Sequence, residues 1–223
     1  MSRVIVFDVN ETLLDLAALD APFQRIFGQA GVRREWFGQF LQSALVATVT
    51  DTYTPFGDIA MSALEMIANR HGHTLNDEDR HTVKQTMSEL PAHPEVAQSL
   101  ELLQSAGLRL ATLTNSTERV AEAQLAHAGL TGFFELRLSA DSVRRLKPAP
   151  EPYRMAAERL GVPIDQIRLV AAHAWDIAGA QRSGAATAFV ARPGQVLDSL
   201  VPRPDIVGKD LREVAERIIE VER

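Results

Sequence analysis

Residues 3–15, RVIVFDVNETLLD, decide how the fold is read. Val4, Ile5, Val6 and Phe7 form a short β-branched and aromatic run, the composition of a strand buried on both faces. Asp8 follows at once. Open α/β sheets bind ligands in the crevice outside the carboxyl ends of their strands, so this position suits a carboxylate that does chemistry. The commoner job of an Asp after a strand is to cap a helix, and that alternative stands beside the first. Three further polar patches, each after an apolar run, weigh on the side of chemistry.

Outward from this stretch the chain changes period. From residue 16 to about 89 the apolar residues recur at helical spacing: Leu19, Phe23, Ile26 and Phe27; Trp36, Phe40, Leu41 and Leu45; Ile59, Ala60, Leu64 and Ile67. Gly31, Pro55-Phe56-Gly57 and His71-Gly72 divide the run into helices, and Asn76 reads as an N-cap ahead of Asp77 and Glu78. No strand-like run interrupts it. From Pro91 the pattern becomes alternation, with helices expected over 96–106, 120–129, 150–161, 175–184 and 211–221. Strands are expected over 108–113, 133–139, 167–172, 185–190 and 206–207. Such alternation gives an α/β fold, a parallel sheet with helices on both faces, here carrying a helical insertion after its first strand.

At 223 residues, 46% of them hydrophobic, the chain can bury a substantial core as one large domain or two unequal ones. A net charge of -6 argues against nucleic acid as a partner, because phosphate binding needs a basic face. No run approaches the roughly 18 apolar residues of a membrane span, and the N-terminus lacks a signal peptide's layout. With no cysteine there is neither a disulfide framework nor a thiolate metal site, and the cytoplasm is the expected compartment.

Four strand ends carry polar residues: Asp8 with Asn10 and Thr12; Thr114-Asn115-Ser116; Lys147; and His173 with Asp176. In a parallel sheet these ends share one edge, so the patches can converge. Each has a structural alternative. Thr114 and Ser116 could cap the next helix, Lys147 beside a proline could be a solvated lysine, and Asp176 could be a first-turn acid favoured by the helix dipole.

Together, FDVNETLLD (Asp8, Thr12), LTNST (Thr114, Asn115), LKPAPEPY (Lys147) and VAAHAWD (Asp176) resemble the four motifs of the haloacid dehalogenase-like hydrolases. AWDIAGA and the Lys147-to-Tyr153 spacing resemble the type II L-2-haloacid dehalogenases within that superfamily. The resemblance implies a Rossmann-like core over 1–14 and 91–223 with an all-helical cap over 15–90. It also implies cleavage of the carbon-halogen bond of a small 2-haloacid through a covalent aspartyl ester, with halide as a product.

Two departures from the superfamily's phosphatase pattern bear on the reaction class. A phosphoryl-transferring member needs an acid two residues after the nucleophile to protonate the leaving oxygen, and Asn10 cannot cycle a proton. Such members also place a magnesium ligand where this chain has Ala172. Halide leaves without a proton or a metal, so neither a metal nor any other cofactor is expected. The implied roles are Asp8 as nucleophile, Lys147 holding it ionised, and Asp176 with His173 acting on the hydrolytic water. Thr114 and the backbone N–H groups of Val9 and Asn10 would hold the substrate carboxylate, Trp36, Phe56 and Asn115 would line substrate and halide, and Thr12 and Tyr153 would fix Asp8 and Lys147.

The halide-cradle arginine that follows a tryptophan in the type II enzymes is missing here, since Phe37 follows Trp36; Arg33 or Arg34 would replace it only if the loop ran differently. His173 stands where the well-known members carry Asn. It could orient water as a neutral base, stabilise a small leaving group such as fluoride when protonated, or simply bond to the backbone. His93 reads as a plain loop residue. A phosphatase or phosphonatase with other acid and metal ligands, a hydrolase of another C2 leaving group, and a non-catalytic small-acid binder are the competing readings. Helical caps with exposed apolar faces often dimerise, so a homodimer is an expectation for the assembly.

Overall fold

In the computed structural model, which describes residues 2–222, the apolar runs become a six-stranded, wholly parallel sheet. β1 (Val4–Phe7), β2 (Leu110–Thr114), β3 (Leu136–Ser139), β4 (Ile167–Ala171), β5 (Ala186–Val190) and β6 (Ile206–Gly208) lie in the order β3-β2-β1-β4-β5-β6. The chain builds outward from β1 to β3 and then returns to place β4 on the other flank of β1. That reversal opens a crevice beside the carboxyl end of β1.

Alternation along β1 divides the core. Ile5 and Phe7 face one apolar cluster, Val4 and Val6 the other, and all four are buried. The crossover helices are α5 (Val96–Ser105), α6 (Glu118–His127), α7 (Pro150–Leu160) and α8 (Ala174–Ser183), and α9 (Leu211–Glu222) follows the last strand. The expected boundaries hold to within a residue or two, with one refinement. The weak strand expected from 133 opens as a 3-10 turn, Thr131–Phe133, and pairs only from Leu136.

Residues 16–89 are helical, as their spacing indicates: a 3-10 turn at Leu16–Leu19, then α1 (Asp20–Phe27), α2 (Val32–Val49), α3 (Phe56–Arg70) and α4 (Asp77–Ser88). Asn76 does cap α4, in a reciprocal capping box with Asp79. An aromatic cluster joins the first three helices. Trp36 packs on Phe23 and Phe40 at 5.3 and 5.6 Å between ring centres, and Phe40 meets Phe56 at 4.3 Å. Side-chain contacts then fasten these helices over the carboxyl edge of the sheet. Gln124 of α6 donates to the Met87 carbonyl at 2.7 Å, Tyr53 bonds Asp141, and Arg145 pairs with Asp51. Among the described residues no helix is long and apolar enough to cross a membrane.

At the opposite edge, Arg168 of β4 is buried with its guanidinium on Glu222 at 2.8 Å, Asp205 at 3.0 Å and the Thr187 carbonyl at 3.2 Å. Removing one member of a buried pair strands the other charge, so Arg168→Ala is expected to lower unfolding free energy by about 3–5 kcal/mol. Urea denaturation checks this; a loss below about 1 kcal/mol would mean that the pair behaves like an exposed one.

Candidate active site

The four polar patches meet at the carboxyl edge. Lys147, with its side chain fully buried, is the hub: its Nζ donates to Asp8 Oδ1 at 2.9 Å, to Asp176 Oδ2 at 2.6 Å and to the Leu113 carbonyl at 2.8 Å. All three ammonium hydrogens are therefore engaged. The backbone of Lys147 is clamped by Asn115, whose amide accepts from Lys147 N at 2.8 Å and donates to Lys147 O at 3.2 Å. A solvated lysine is ruled out by this geometry.

Asp8 Oδ2 accepts from the Thr12 hydroxyl at 2.7 Å, and Thr12 in turn accepts from Ala172 N at 3.0 Å. The loop carrying them is pinned by Arg192, buried and donating to the Thr12 carbonyl at 2.8 and 3.2 Å while paired with Glu95. Burial pushes the Asp8 carboxyl upward, but the Lys147 ammonium, with help from His173 and Thr12, overrides it and holds the group well below the usual carboxylate range. Asp176 lies in the first turn of α8 with no exposed surface. Burial and the neighbouring Asp8 charge raise its carboxyl despite Lys147.

His173, immediately before α8, sits between two carboxylates, with Nε2 2.8 Å from Glu11 Oε2 and Nδ1 3.5 Å from Asp8 Oδ2. Its ring is stacked on Trp175 at 5.2 Å and faces Phe37 of α2 at 5.9 Å. Burial pushes the imidazole down, yet the bond to Glu11 and the charges of Asp8 and Glu11 lift it to about 9, which favours the imidazolium at neutral pH.

Several sequence-derived placements change. Tyr153 does not touch Lys147; its hydroxyl donates to Asp176 Oδ1 at 2.5 Å, because α7 directs it at the first turn of α8. Trp36 is wholly buried in the helical layer with its indole N–H on the Ala60 carbonyl at 2.9 Å, and its neighbour Phe37 is the ring that reaches the site. Phe56 packs in the same aromatic cluster. Arg33 is paired with Asp20 and Arg34 is exposed, so neither supplies the absent arginine. Thr114 is buried with its hydroxyl accepting from Ser116 N at 3.1 Å, a local turn contact and not a cap of α6, whose N-cap position is Thr117, and Val9 is fully buried directly after Asp8. His93 is more than a loop residue, since its Nε2 meets the Glu11 carbonyl at 3.1 Å. Glu11, Phe37, Arg192 and Gln195 were not among the sequence candidates; the only signal was an acid placed in the turn after Asp8.

The donor set does not fit a magnesium ion. Asn10 offers a neutral side-chain carbonyl already bonded to Gln124 at 3.1 Å, and Ala172 has no side-chain ligand atom. A small gap beside the hub is lined by Leu41, Ala44, Leu45, Asn115, Lys147 and Trp175, and the Trp175 indole N–H is buried without a partner.

A buried carboxylate fixed by a lysine, with a second acid on that same lysine, is the arrangement that the motif resemblance implies. Comparison with known proteins agrees: the family model described as haloacid dehalogenase-like hydrolase matches residues 2–184. The chain belongs to the haloacid dehalogenase-like hydrolases. It is 30% identical over 214 residues to the (S)-2-haloacid dehalogenase of Pseudomonas sp. (strain YL), covering 95% of this chain and 92% of that protein. It is 31% identical over 201 residues to (S)-2-haloacid dehalogenase 4A of Burkholderia cepacia, covering 86% and 84%. Among solved structures, the L-2-haloacid dehalogenase RSc1362 superposes with a TM-score of 0.93 at 29% identity, covering 97% of this chain and 98% of that one.

Within this hydrolase frame Gly179 has a local task. A Cβ there would stand 2.6 Å from the Tyr153 hydroxyl and 2.8 Å from the Pro148 carbonyl. Gly179→Ala is therefore expected to displace Tyr153 from Asp176 and disturb the turn that carries Lys147, which a crystal structure of the variant would show. In Lys147→Met the carboxyl of Asp8 should titrate about 1–3 units higher, the effect of losing a close opposite charge. Isotope-edited NMR of the Asp8 carboxyl measures this, and an unchanged titration would contradict the role given to Lys147.

Proposed function

We propose that the chain is a 2-haloacid dehalogenase, hydrolysing small 2-haloalkanoic acids to 2-hydroxy acids. The observation that carries this reading is the state of Asp8: buried, held ionised by Lys147, and followed by Asn10 and Ala172 in place of the acid and metal ligand that phosphoryl transfer requires. The names of the similar proteins point the same way. Asp8 attacks the carbon bearing the halogen, forming an aspartyl ester and expelling halide. Water then attacks the carboxyl carbon of that ester, with Asp176 taking one of its protons.

Thr114 and the amides of Val9 and Asn10 hold the substrate carboxylate. Halide departs toward Asn115 and the unpartnered indole N–H of Trp175, with Trp36 and Phe56 supporting that wall only through the aromatic cluster. Thr12 fixes Asp8 and Tyr153 fixes Asp176. Residues 15–90 act as a cap domain over a core of 1–14 and 91–223. The reaction is assigned to the cytoplasm, in keeping with the absence of cysteine. Leu45, Val46 and Val49 of α2 and Met66 of α3, all exposed, offer a face for a homodimer.

Halide release from chloroacetate, fluoroacetate and each enantiomer of 2-chloropropionate, measured with EDTA present, tests the reading. Release from at least one substrate that vanishes in Asp8→Asn is expected. No halide from any of them, together with magnesium-dependent hydrolysis of a chromogenic phosphate, would replace this function with a phosphatase.

A further inference from the structure

A buried N–H with no partner marks the place where the site has a donor in reserve. His173 Nδ1 is such an atom: its side chain is 5% exposed, it has no hydrogen-bond partner among the described residues, and Asp8 Oδ2 lies 3.5 Å away, too long for a normal hydrogen bond. The other ring nitrogen is held at 2.8 Å by Glu11, whose same oxygen also accepts from Gln195 Nε2 at 2.9 Å. Glu11 makes these contacts from a left-handed backbone conformation, φ 61°, that few residues other than glycine adopt. His93 bonds the carbonyl of the same residue. Glu11, itself held by Gln195 and His93, therefore fixes the imidazole with its other edge toward one oxygen of the nucleophile.

The two oxygens of Asp8 are not equivalent. Oδ1 has a single donor, Lys147, and keeps a lone pair for attack on carbon. Oδ2 faces two donors, Thr12 at 2.7 Å and His173. An ester formed through Oδ1 leaves Oδ2 as the carbonyl oxygen, the atom that becomes negative when water adds. We propose that Thr12 and His173 form an oxyanion hole for Oδ2 in ester hydrolysis, and that Glu11 is a positioning residue that keeps His173 aimed at that oxygen. The proposal rests on the dehalogenation reading above.

Glu11 matters most in the ester. In the resting site both Asp8 and Glu11 favour the imidazolium, but alkylation removes the charge of Asp8. Among the other groups around the imidazole, Lys147 and Asp176 pair with each other, while Phe37 and Trp175 are uncharged. Glu11 is then the carboxylate in contact with the ring. The chemistry balances. The water oxygen bonds to the carboxyl carbon and the carbonyl pair moves to Oδ2, while Asp176 takes one proton. The pair returns, the bond to Oδ1 breaks, and Oδ1 leaves in the product with the proton from Asp176. The second water proton is released as Asp8 re-ionises, balancing the halide. A donor bonded weakly to the ground state and strongly to the charge that develops lowers the barrier of that step alone.

The same geometry argues against His173 as a halide donor. In-line displacement sends halide to the side of the carbon opposite the attacking oxygen, whereas Nδ1 lies against the nucleophile itself.

Glu11→Gln keeps the shape of the side chain and removes its charge. Under single-turnover conditions the halide burst should remain within about twofold of wild type while ester hydrolysis slows at least about tenfold, so that the alkylated Asp8 peptide accumulates in mass spectra. The alkaline limb of ester hydrolysis should move down by about 1–3 pH units, and nitrogen NMR of the His173 ring should report a matching fall in its titration. Glu11→Asp should restore part of the rate. Ester hydrolysis and His173 titration both unchanged would overturn the proposal, as would equal slowing of burst and hydrolysis or a change in substrate KM alone. A wild-type enzyme that releases no halide would overturn the dehalogenase reading and this proposal with it, whereas a normal burst with an unaltered pH limb removes only the proposal. Should Glu11→Gln fail to fold, His173→Asn carries the same test: the alkaline limb should disappear while the burst survives.

Discussion

One buried ammonium holds the site together. Two carboxylates and a carbonyl converge on the Lys147 nitrogen, and neither carboxylate would stay ionised there alone: a buried carboxylate that loses its cation protonates. The parallel sheet exists, from the site's point of view, to bring four strand ends close enough for that pairing. β1 supplies Asp8, β2 the Leu113 carbonyl and Asn115, the turn after β3 supplies Lys147, and β4 leads into the helix that carries Asp176. Asn115 and Tyr153 then hold the two ends of the arrangement, one through the backbone of Lys147 and the other through the free oxygen of Asp176.

The second cation, His173, changes how charge is distributed relative to the pattern that the sequence resembles. Where that pattern places an arginine after a tryptophan of the cap, this chain has Phe37, and the ring packs against the imidazole. The cationic partner that the structure does show, His173, lies on the Asp8 side of the site, flanked by Glu11 and Asp8. The helical layer consequently offers the gap beside Lys147 only apolar side chains, Leu41, Ala44 and Leu45, so polar recognition in this site belongs to the sheet edge.

Much of this was legible in the sequence because it depends on period and position along the chain. The switch from a 3.6-residue period to strand-helix alternation gave the insertion and the sheet, and parallel strands force their ends onto one edge, which is why Asp8, Lys147, Asp176 and His173 meet. What was not legible depends on side-chain direction across long separations. The resemblance implies that Tyr153 fixes Lys147, yet α7 turns its hydroxyl toward Asp176. Trp36 and Phe37 are adjacent, and the helix rotation between them decides which one faces the site. Glu11 and Gln195 are 184 residues apart and meet only once β5 has delivered the loop that follows it.

The central claim is that the carboxyl group of Asp8 is the group alkylated and then hydrolysed. A single turnover in oxygen-18 water, followed by mass analysis of the peptide containing Asp8, tests it most directly. Label in the Asp8 carboxyl with unlabelled 2-hydroxy acid is the predicted result; label in the product alone would mean that water attacks the substrate directly and that Asp8 never forms an ester.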